Sequence, residues 1–257
     1  MIDNIYIINK KKLYVYCEIK EYCQQLNNWL STYDVVSTQK YNSYIMIFSD
    51  KVVWNTGNGE KSINKVIKQT DLYPLFYNVI ANIILDNSDI LLHSAVFCYN
   101  NKGVLVVGDF NSGKTALCLK ALKKNMKVIS ADQTHLSYDN NKMIVKQGSS
   151  YMKINKNNAF FLEKENIKIE INLIINLVGL CDNGILSFSL INNKDHIIKK
   201  MFKFCTWHSD IPLFTTNMSL EIDKSKIKRW LNNIDIPFYD VRGDTEKIIL
   251  KIMEELR

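Results

Sequence analysis

The sequence predicts an α/β fold with a mixed sheet that contains a substantial antiparallel share. Helical and strand patterns alternate around a glycine-containing segment in the middle of the chain, whereas strand patterns follow one another elsewhere. The 257 residues suffice for one large domain or two small ones, and 47% hydrophobic with 23% charged residues is typical of globular proteins. We divide the chain into a small α+β region at residues 1–70 and a larger domain at residues 71–257.

The first region predicts short strands around one helix. Lys12–Cys17 and Tyr44–Phe48 are rich in aromatic and β-branched residues, which favour strands. Residues 19–30 between them place apolar side chains at helical spacing. Lys51–Trp54 predicts a further strand that enters a glycine-containing turn. No catalytic pattern is recognisable here, so substrate recognition and a simple extension of the sheet both remain open.

The second region begins with a predicted helix at residues 72–85, with Asp71 as a candidate cap. Residues 89–99 predict one buried strand, and a turn leads to a second strand, Val104–Val107. Residues 167–179 and 185–190 resemble paired strands across a turn at residues 181–184. The other predicted elements are, in order, a helix at 113–124, a strand at 127–130, a hairpin turn at 139–142, helices at 194–206 and 223–233, a strand at 236–241 and a helix at 244–256.

Residues 108–115, with the sequence GDFNSGKT, match the phosphate-binding pattern G-x-x-x-x-G-K-[ST] at every specified position. The segment lies between an apolar strand and a helix, which is the context that such a loop requires. Lys114 would contact the β- and γ-phosphates, and the Thr115 hydroxyl would bind Mg²⁺. Backbone N–H groups and the helix dipole would surround the phosphates. The predicted nucleotide-binding residues are Gly108, Asn111, Ser112, Gly113, Lys114 and Thr115.

Phosphoryl transfer also needs a proton acceptor and a carboxylate near the metal. Asp132 is the best candidate for both, because it ends the strand after the loop helix and ligands bind at strand carboxyl ends in α/β sheets. The alternative for Asp132 is a helix or turn cap. His93 is the second candidate, because pairing of its strand with the loop strand could bring it near the phosphates. The alternative for His93 is a hydrogen-bonded core histidine. With Lys114, these two residues form the predicted catalytic set.

Together these residues resemble the HPr kinase/phosphorylase family and its shorter relatives, the HPr-kinase-like enzymes. The resemblance covers about residues 70–257. It implies a core related to phosphoenolpyruvate carboxykinase, the use of ATP and Mg²⁺, and transfer to a serine hydroxyl. It also implies that His93 matches the family's active-site histidine and Asp132 an aspartate of its Asp-Asp pair. The similar segments are residues 91–95, 108–115, 128–132, 147–153 and 236–241.

Three departures from the family pattern narrow this expectation. Ala131 stands at the first aspartate of the pair, Asp109 and Phe110 replace smaller or less acidic loop residues, and an arginine-glycine signature is missing. We therefore expect neither phosphorylase activity nor HPr as the substrate. The expected function is an ATP-dependent kinase that acts on a Ser or Thr hydroxyl of a peptide or small protein, including a ribosomally made precursor peptide. A kinase of a small-molecule hydroxyl, such as free serine, and a nucleotide-binding regulator are the alternatives.

The composition bears on partners and compartment. The net charge of +7 comes from lysines spread along the chain, so we expect no nucleic-acid partner. Six scattered cysteines predict reduced, buried thiols rather than a zinc site. Apolar runs are too short and too polar to span a bilayer, and no secretory signal is recognised, so a cytoplasmic location without a membrane partner is expected. A homo-oligomer is left open.

Overall fold

The computed structural model describes residues 1–37, 40–65, 67–154, 159–162, 168–181 and 184–257. It divides into two compact units, which we call unit 1 (residues 1–86 and 206–226) and unit 2 (residues 87–205 and 227–257). These units do not coincide with the predicted ranges 1–70 and 71–257, because residues 71–86 and 206–226 group with unit 1. As functional domains, the two ranges remain a prediction.

Unit 1 contains a six-stranded sheet in the order β3-β1-β2-β4-β5-β6. Its neighbouring strands are antiparallel except for β2 and β4, which are parallel. The predicted strands and helix of the first region are confirmed with shifts of one residue. The elements of this unit are β1 (Ile2–Ile8), β2 (Lys11–Cys17), α1 (Lys20–Leu30), β3 (Asp34–Val36), β4 (Ser43–Ile47), β5 (Val52–Asn55), β6 (Glu60–Ile63) and α2 (Gln69–Ile84).

Helix α2 begins earlier than predicted, and Asp71 is not its cap, because Lys68 occupies that position. Asp71 lies buried in the first turn of the helix. Its carboxylate accepts hydrogen bonds from the N–H groups of Phe214 at 2.7 Å and Thr215 at 3.0 Å. The sequence could not show this role, since the partners lie more than 140 residues further along the chain.

Unit 2 contains a nine-stranded sheet, in which β10-β8-β9-β15-β12-β11-β7 form the main path and β17 and β16 extend from β15. This mixed arrangement of parallel and antiparallel strands with helices confirms the predicted α/β class. A small hairpin of β13 and β14 accompanies it. The remaining elements of the chain are β7 (Asp89–His93), β8 (Ala95–Tyr99), β9 (Lys102–Val107), α3 (Lys114–Lys123), β10 (Lys127–Ser130), β11 (Gln133–Asp139), β12 (Lys142–Gly148), β13 (Tyr151–Lys153), β14 (Ala159–Phe161), β15 (Ile169–Leu180), β16 (Leu186–Leu190), α4 (Lys194–Asp210), α5 (Lys224–Leu231), β17 (Phe238–Gly243) and α6 (Thr245–Glu255). The last residues of α4, 206–210, and the first of α5, 224–226, are counted with unit 1.

Two predicted strand arrangements are wrong. Residues 89–99 form two strands that separate at Ser94: β7 pairs with β11, whereas β8 pairs with β9 and β10. A continuous apolar run hides this break, because both strands are buried. Strand β16 pairs with β17 instead of β15, since β17 lies between them. Of the turn predicted at 181–184, residues 182 and 183 lie outside the described residues, as does residue 167.

The site lies at one edge of three parallel strands, β9, β15 and β17. Helices α3 and α6 cover one face of these strands and share a fully apolar core with them. At the carboxyl ends of the strands, Val107, Asn176 and Asp240 stand side by side in register. Ligands of open α/β sheets bind at this edge, outside the carboxyl ends of the strands.

Two predictions from composition can be compared with the fold. The six cysteines are free thiols, and five of them are buried, as expected. Across the described ranges, each helix is either too short or too polar to cross a bilayer.

Candidate functional site

The phosphate loop connects the end of β9 to the start of α3. Asn111 adopts a left-handed backbone with φ of 62°, and Gly113 adopts φ of 104° as the N-cap of α3. Left-handed residues of this kind turn successive N–H groups toward one point. Within the described chain, no side chain caps the N-terminus of α3. Its first N–H groups therefore suit an anion, whose charge the helix dipole also favours.

The two glycines of the pattern are required by close contacts. A Cβ atom on Gly108 would lie 2.6 Å from Ser112 Oγ and 2.7 Å from the carbonyl oxygen of Leu177. On Gly113 it would lie 2.3 Å from a methyl carbon of Leu180. The loop thus folds tightly against the end of β15, and larger residues would push it outward.

Lys114 lies buried beneath this loop. Its Nζ donates hydrogen bonds to the carbonyl oxygens of Gly108 at 2.7 Å and Asp109 at 3.1 Å. Burial lowers the pKa of Lys114, and the negative charges of Asp132 and Asp109 oppose this effect. An ammonium group that has already lost much of its hydration can exchange carbonyl oxygens for phosphate oxygens at little further desolvation cost.

Two hydroxyl residues of the loop complete the predicted nucleotide set. The Oγ of Ser112 is buried, and no hydrogen-bond partner for it exists among the described residues. Thr115 lies half-buried in the first turn of α3. A buried hydroxyl without a partner is costly, so Ser112 Oγ is suited to a ligand that supplies a hydrogen bond.

The predicted catalytic pair comes together behind the loop. Nδ1 of His93 lies 3.4 Å from Oδ1 of Asp132. His93 is buried, whereas the side chain of Asp132 is 33% exposed and accessible to a substrate. The N–H of Ser94 donates to the carbonyl oxygen of Asp132 at 2.9 Å and fixes this turn. The ring of Phe110 stacks on His93 at a centroid distance of 5.0 Å, so the loop contacts the pair directly.

The predicted route by which His93 reaches the site is wrong, although its proximity to the loop is observed. His93 does not lie beside the loop strand, because its strand β7 pairs with β11. It faces Gln133 there, and Nε2 of Gln133 lies 3.3 Å from Nδ1 of His93. Gln133 was missed by the sequence reasoning. The signal for it is its position directly after Asp132, where the next strand begins.

Electrostatics keep His93 neutral near pH 7. Burial is the main cause, and together with the nearby charge of Lys114 it lowers the pKa of His93 to about 4. The charges of Asp132 and Asp109 act in the opposite direction. His93 is therefore a neutral polar neighbour of Asp132 rather than a cation.

Ala131, which stands at a family aspartate position, does not face the site. Its side chain is 4% exposed and belongs to the apolar core with Leu117 and Cys118 of α3. A carboxylate at this position would point into that core, at a high desolvation cost. The alanine therefore removes no carboxylate from the loop side.

The predicted Mg²⁺ ligands have suitable chemistry. A hydroxyl from Thr115 and a carboxylate from Asp132 are hard oxygen donors, which Mg²⁺ prefers. Among the described residues, no group of three His, Cys, Asp or Glu side chains could hold a metal by itself. This donor set fits a cation that arrives with a nucleotide, because Mg²⁺ usually takes one or two carboxylates together with phosphates and water.

No family model matches the chain, and no curated protein matches it. Among solved structures, the chain is similar to the HPr(Ser) kinase/phosphatase from Coxiella burnetii. The two share 16% identity over 65% of this chain and 93% of that chain, with a TM-score of 0.36. A likeness of this size supports no conclusion about activity, so we infer the function from the site.

Proposed function

We propose that this protein is an ATP-dependent kinase that transfers the γ-phosphate to a Ser or Thr hydroxyl of a peptide or small protein. The observation that supports this proposal most is the convergence of the phosphate loop with the His93–Asp132 pair. Phe110 of the loop stacks on His93, and the charges of Lys114 and Asp132 both act on the His93 imidazole. A nucleotide phosphate and a proton acceptor would thus meet at one edge of the sheet.

The residues of the loop would bind and orient the triphosphate. N–H groups at the start of α3 and the ammonium of Lys114 would hold the β- and γ-phosphates. Bound Mg²⁺, held by Thr115 and Asp132, would neutralise charge on these phosphates. Tight contact of the loop with Leu177 and Leu180 would keep the N–H groups in place during transfer.

Asp132 would act as the proton acceptor. The bond between the γ-phosphorus and the β,γ-bridging oxygen breaks, and ADP leaves with the electron pair. A bond forms between the acceptor oxygen and phosphorus, and the hydroxyl proton moves to a carboxylate oxygen of Asp132. Neutral His93 would hold the carboxylate in position through Nδ1, 3.4 Å away.

A peptide or small protein is proposed as the acceptor because of Phe110. Its ring is 59% exposed although it lies beside the catalytic pair. An exposed aromatic ring of this kind offers apolar contact to residues that flank the acceptor hydroxyl. The side chain of Ala131 lies in the core, which weakens the case for a regulator without catalysis.

The test uses ATP labelled at the γ-phosphate and a library of Ser- and Thr-containing peptides. Lys114→Ala should abolish labelling, whereas Lys123→Ala, an exposed lysine on the same helix, should not. Asp132→Asn should lower the transfer rate by about 10²–10⁴-fold, far more than it lowers ATP affinity. Phosphoryl transfer by the Lys114→Ala variant would refute the proposal. If free serine added to the assay became labelled and the peptides did not, the acceptor would be a small molecule instead of a peptide.

A further inference from the structure

Besides Lys114, a second lysine, Lys200 of α4, lies near the ends of the parallel strands. It contacts the face of the sheet that α3 and α6 leave uncovered. Alternate residues of β15 and β17 point to opposite faces of the sheet. Leu177 and Val241 belong to the core with α3 and α6, so Asn176 and Asp240 face the other side. Lys200 of α4 contacts Asp240 there. This cluster belongs to unit 2 together with the phosphate loop.

The ammonium of Lys200 is held in a defined position. Its Nζ donates to both carboxylate oxygens of Asp240, at 2.8 and 2.7 Å. Nδ2 of Asn176 donates to the same carboxylate at 2.9 Å. The side chains of Lys200 and Asp240 are each only about a quarter exposed, at 24% and 25%. Both partners have therefore lost much of their hydration.

The position of this cluster relates it to the phosphate loop. Asp240 is in register with Asn176, and Asn176 is in register with Val107, the residue before the loop. Neighbouring strands are about 4.8 Å apart, so the backbone of Asn176 lies roughly 5 Å and that of Asp240 roughly 10 Å from the end of β9. A second contact connects the same helix to the loop itself, because Lys203 forms an ion pair with Asp109. Residues three apart lie on one helix face, so both lysines point toward this edge.

A purely structural ion pair explains the arrangement less well. Partly buried ion pairs contribute little net stability, because desolvation offsets the attraction. This pair lies at the carboxyl ends of parallel strands beside the phosphate loop, which is where ligands of such sheets bind. Transfer of a phosphoryl group spreads negative charge over three equatorial oxygens and benefits from a cation in addition to the loop lysine. Arg242 lies two residues after Asp240 and is exposed, so Lys200 is the better-ordered cation at this edge.

We propose that Lys200 binds the γ-phosphoryl group, with Asp240 and Asn176 as the residues that position its ammonium. This inference rests on the proposed kinase function and adds the group that distinguishes ATP from ADP. The exposed pair of Lys203 and Asp109 plays a smaller part, because both side chains are more than 60% exposed and are screened by solvent.

The test compares the binding of two Mg²⁺-nucleotides by calorimetry: ADP and a non-hydrolysable ATP analogue with an imido bridge. A hydrogen bond to a charged group corresponds to about tenfold in affinity or more. Lys200→Met should therefore lower the affinity for the ATP analogue by about tenfold or more and change the affinity for ADP by less than about twofold. Lys200→Arg should restore most of the preference. Lys199→Met, an exposed lysine on the same helix, is the matched control and should change neither affinity.

A second comparison covers the case in which Lys200→Met leaves Asp240 unpaired and destabilises the protein. Asp240→Asn retains Lys200, and Lys200→Met combined with Asp240→Asn removes both charges. The preference for the analogue over ADP should be reduced but still present in Asp240→Asn, and it should disappear in the double variant. If Lys200→Met lowered the affinity for both nucleotides equally, or for neither, the proposed role of Lys200 would be overturned. Nucleotide binding by the unaltered protein would in that case still support the kinase proposal. A protein that binds neither nucleotide would overturn both proposals.

Discussion

The neutrality of His93 makes a prediction that can be measured without knowing the acceptor. His93 is 4% exposed, and burial lowers its pKa from an ordinary 6.5 to about 4. In the unfolded chain the imidazole takes up a proton near pH 6.5, whereas in the folded chain it does so near pH 4. Between these values the unfolded state binds more protons, so acid destabilises the fold.

The size of this effect follows from the two pKa values. At pH 5 the imidazole should lower the free energy of unfolding by about 2 kcal/mol relative to pH 8, approaching about 3 kcal/mol below pH 4. His93→Gln removes the titrating group and keeps polar atoms in its place. The wild-type protein should therefore lose about 2 kcal/mol more than the variant when the pH falls from 8 to 5.

Urea unfolding at both pH values, followed by circular dichroism, measures this difference. Carboxylates that titrate in both proteins cancel when the two pH dependences are compared. His196→Gln, which replaces an exposed histidine at the start of α4, is the control and should follow the wild type. Parallel pH dependences for wild type and His93→Gln would refute the reasoning, because they would mean that His93 titrates alike in the folded and unfolded states.

Two further predictions concern the frame of the site. Burial alone would raise the pKa of Asp89, but hydrogen bonds from His135, at 2.9 Å, and from neighbouring serines lower it to about 2. Asp89→Asn should thus cost about 1–3 kcal/mol in unfolding free energy near pH 7, with the difference from wild type shrinking as the pH falls toward 2; a urea titration that shows no loss would contradict this. Gly108→Ala places a Cβ 2.6 Å from Ser112 Oγ, so it should weaken ATP binding by about tenfold or more in calorimetry. Gly179→Ala, which has open space around its Cβ position, is the matched control, and equal affinities for the two variants would argue against the tight loop.

The sequence predicted the local parts of the site well. The phosphate loop and α3 follow from a contiguous pattern, although the close contacts that require Gly108 and Gly113 also involve Leu177 and Leu180 of the distant strand β15. Asp132 follows from its place at the end of β10, directly after the loop helix. Short-range rules suffice here, because neighbouring residues determine the turn and the start of the helix.

The sequence did not reveal the long-range pairings. Ser94 divides one apolar run into two strands with different partners, and burial of both strands leaves no polar residue pattern at the break. Gln133 reaches His93 only because β7 and β11 pair in one particular register. Periodicity cannot provide such information, since it reports which face of a strand is buried and not which strand lies beside it.

The cluster on α4 was missed for a related reason. Lys200 and Asp240 are 40 residues apart, and lysines are common along this chain. Their charges distinguish them from other surface residues only when the register of β17 beside β15 is known. Ala131 is an example of the opposite error. From the sequence it suggested that the site had lost a carboxylate, but its side chain lies in the apolar core.

Labelling with γ-labelled ATP tests the central claim most directly. The unaltered protein and Lys114→Ala would each be incubated with Mg²⁺, labelled ATP and a library of Ser- and Thr-containing peptides, and the label would be located by mass spectrometry. We expect phosphate on a Ser or Thr hydroxyl with the unaltered protein and none with the variant. Label found only as free phosphate, or bound nucleotide with no labelled hydroxyl in the peptides or in free serine, would contradict the assignment as a kinase.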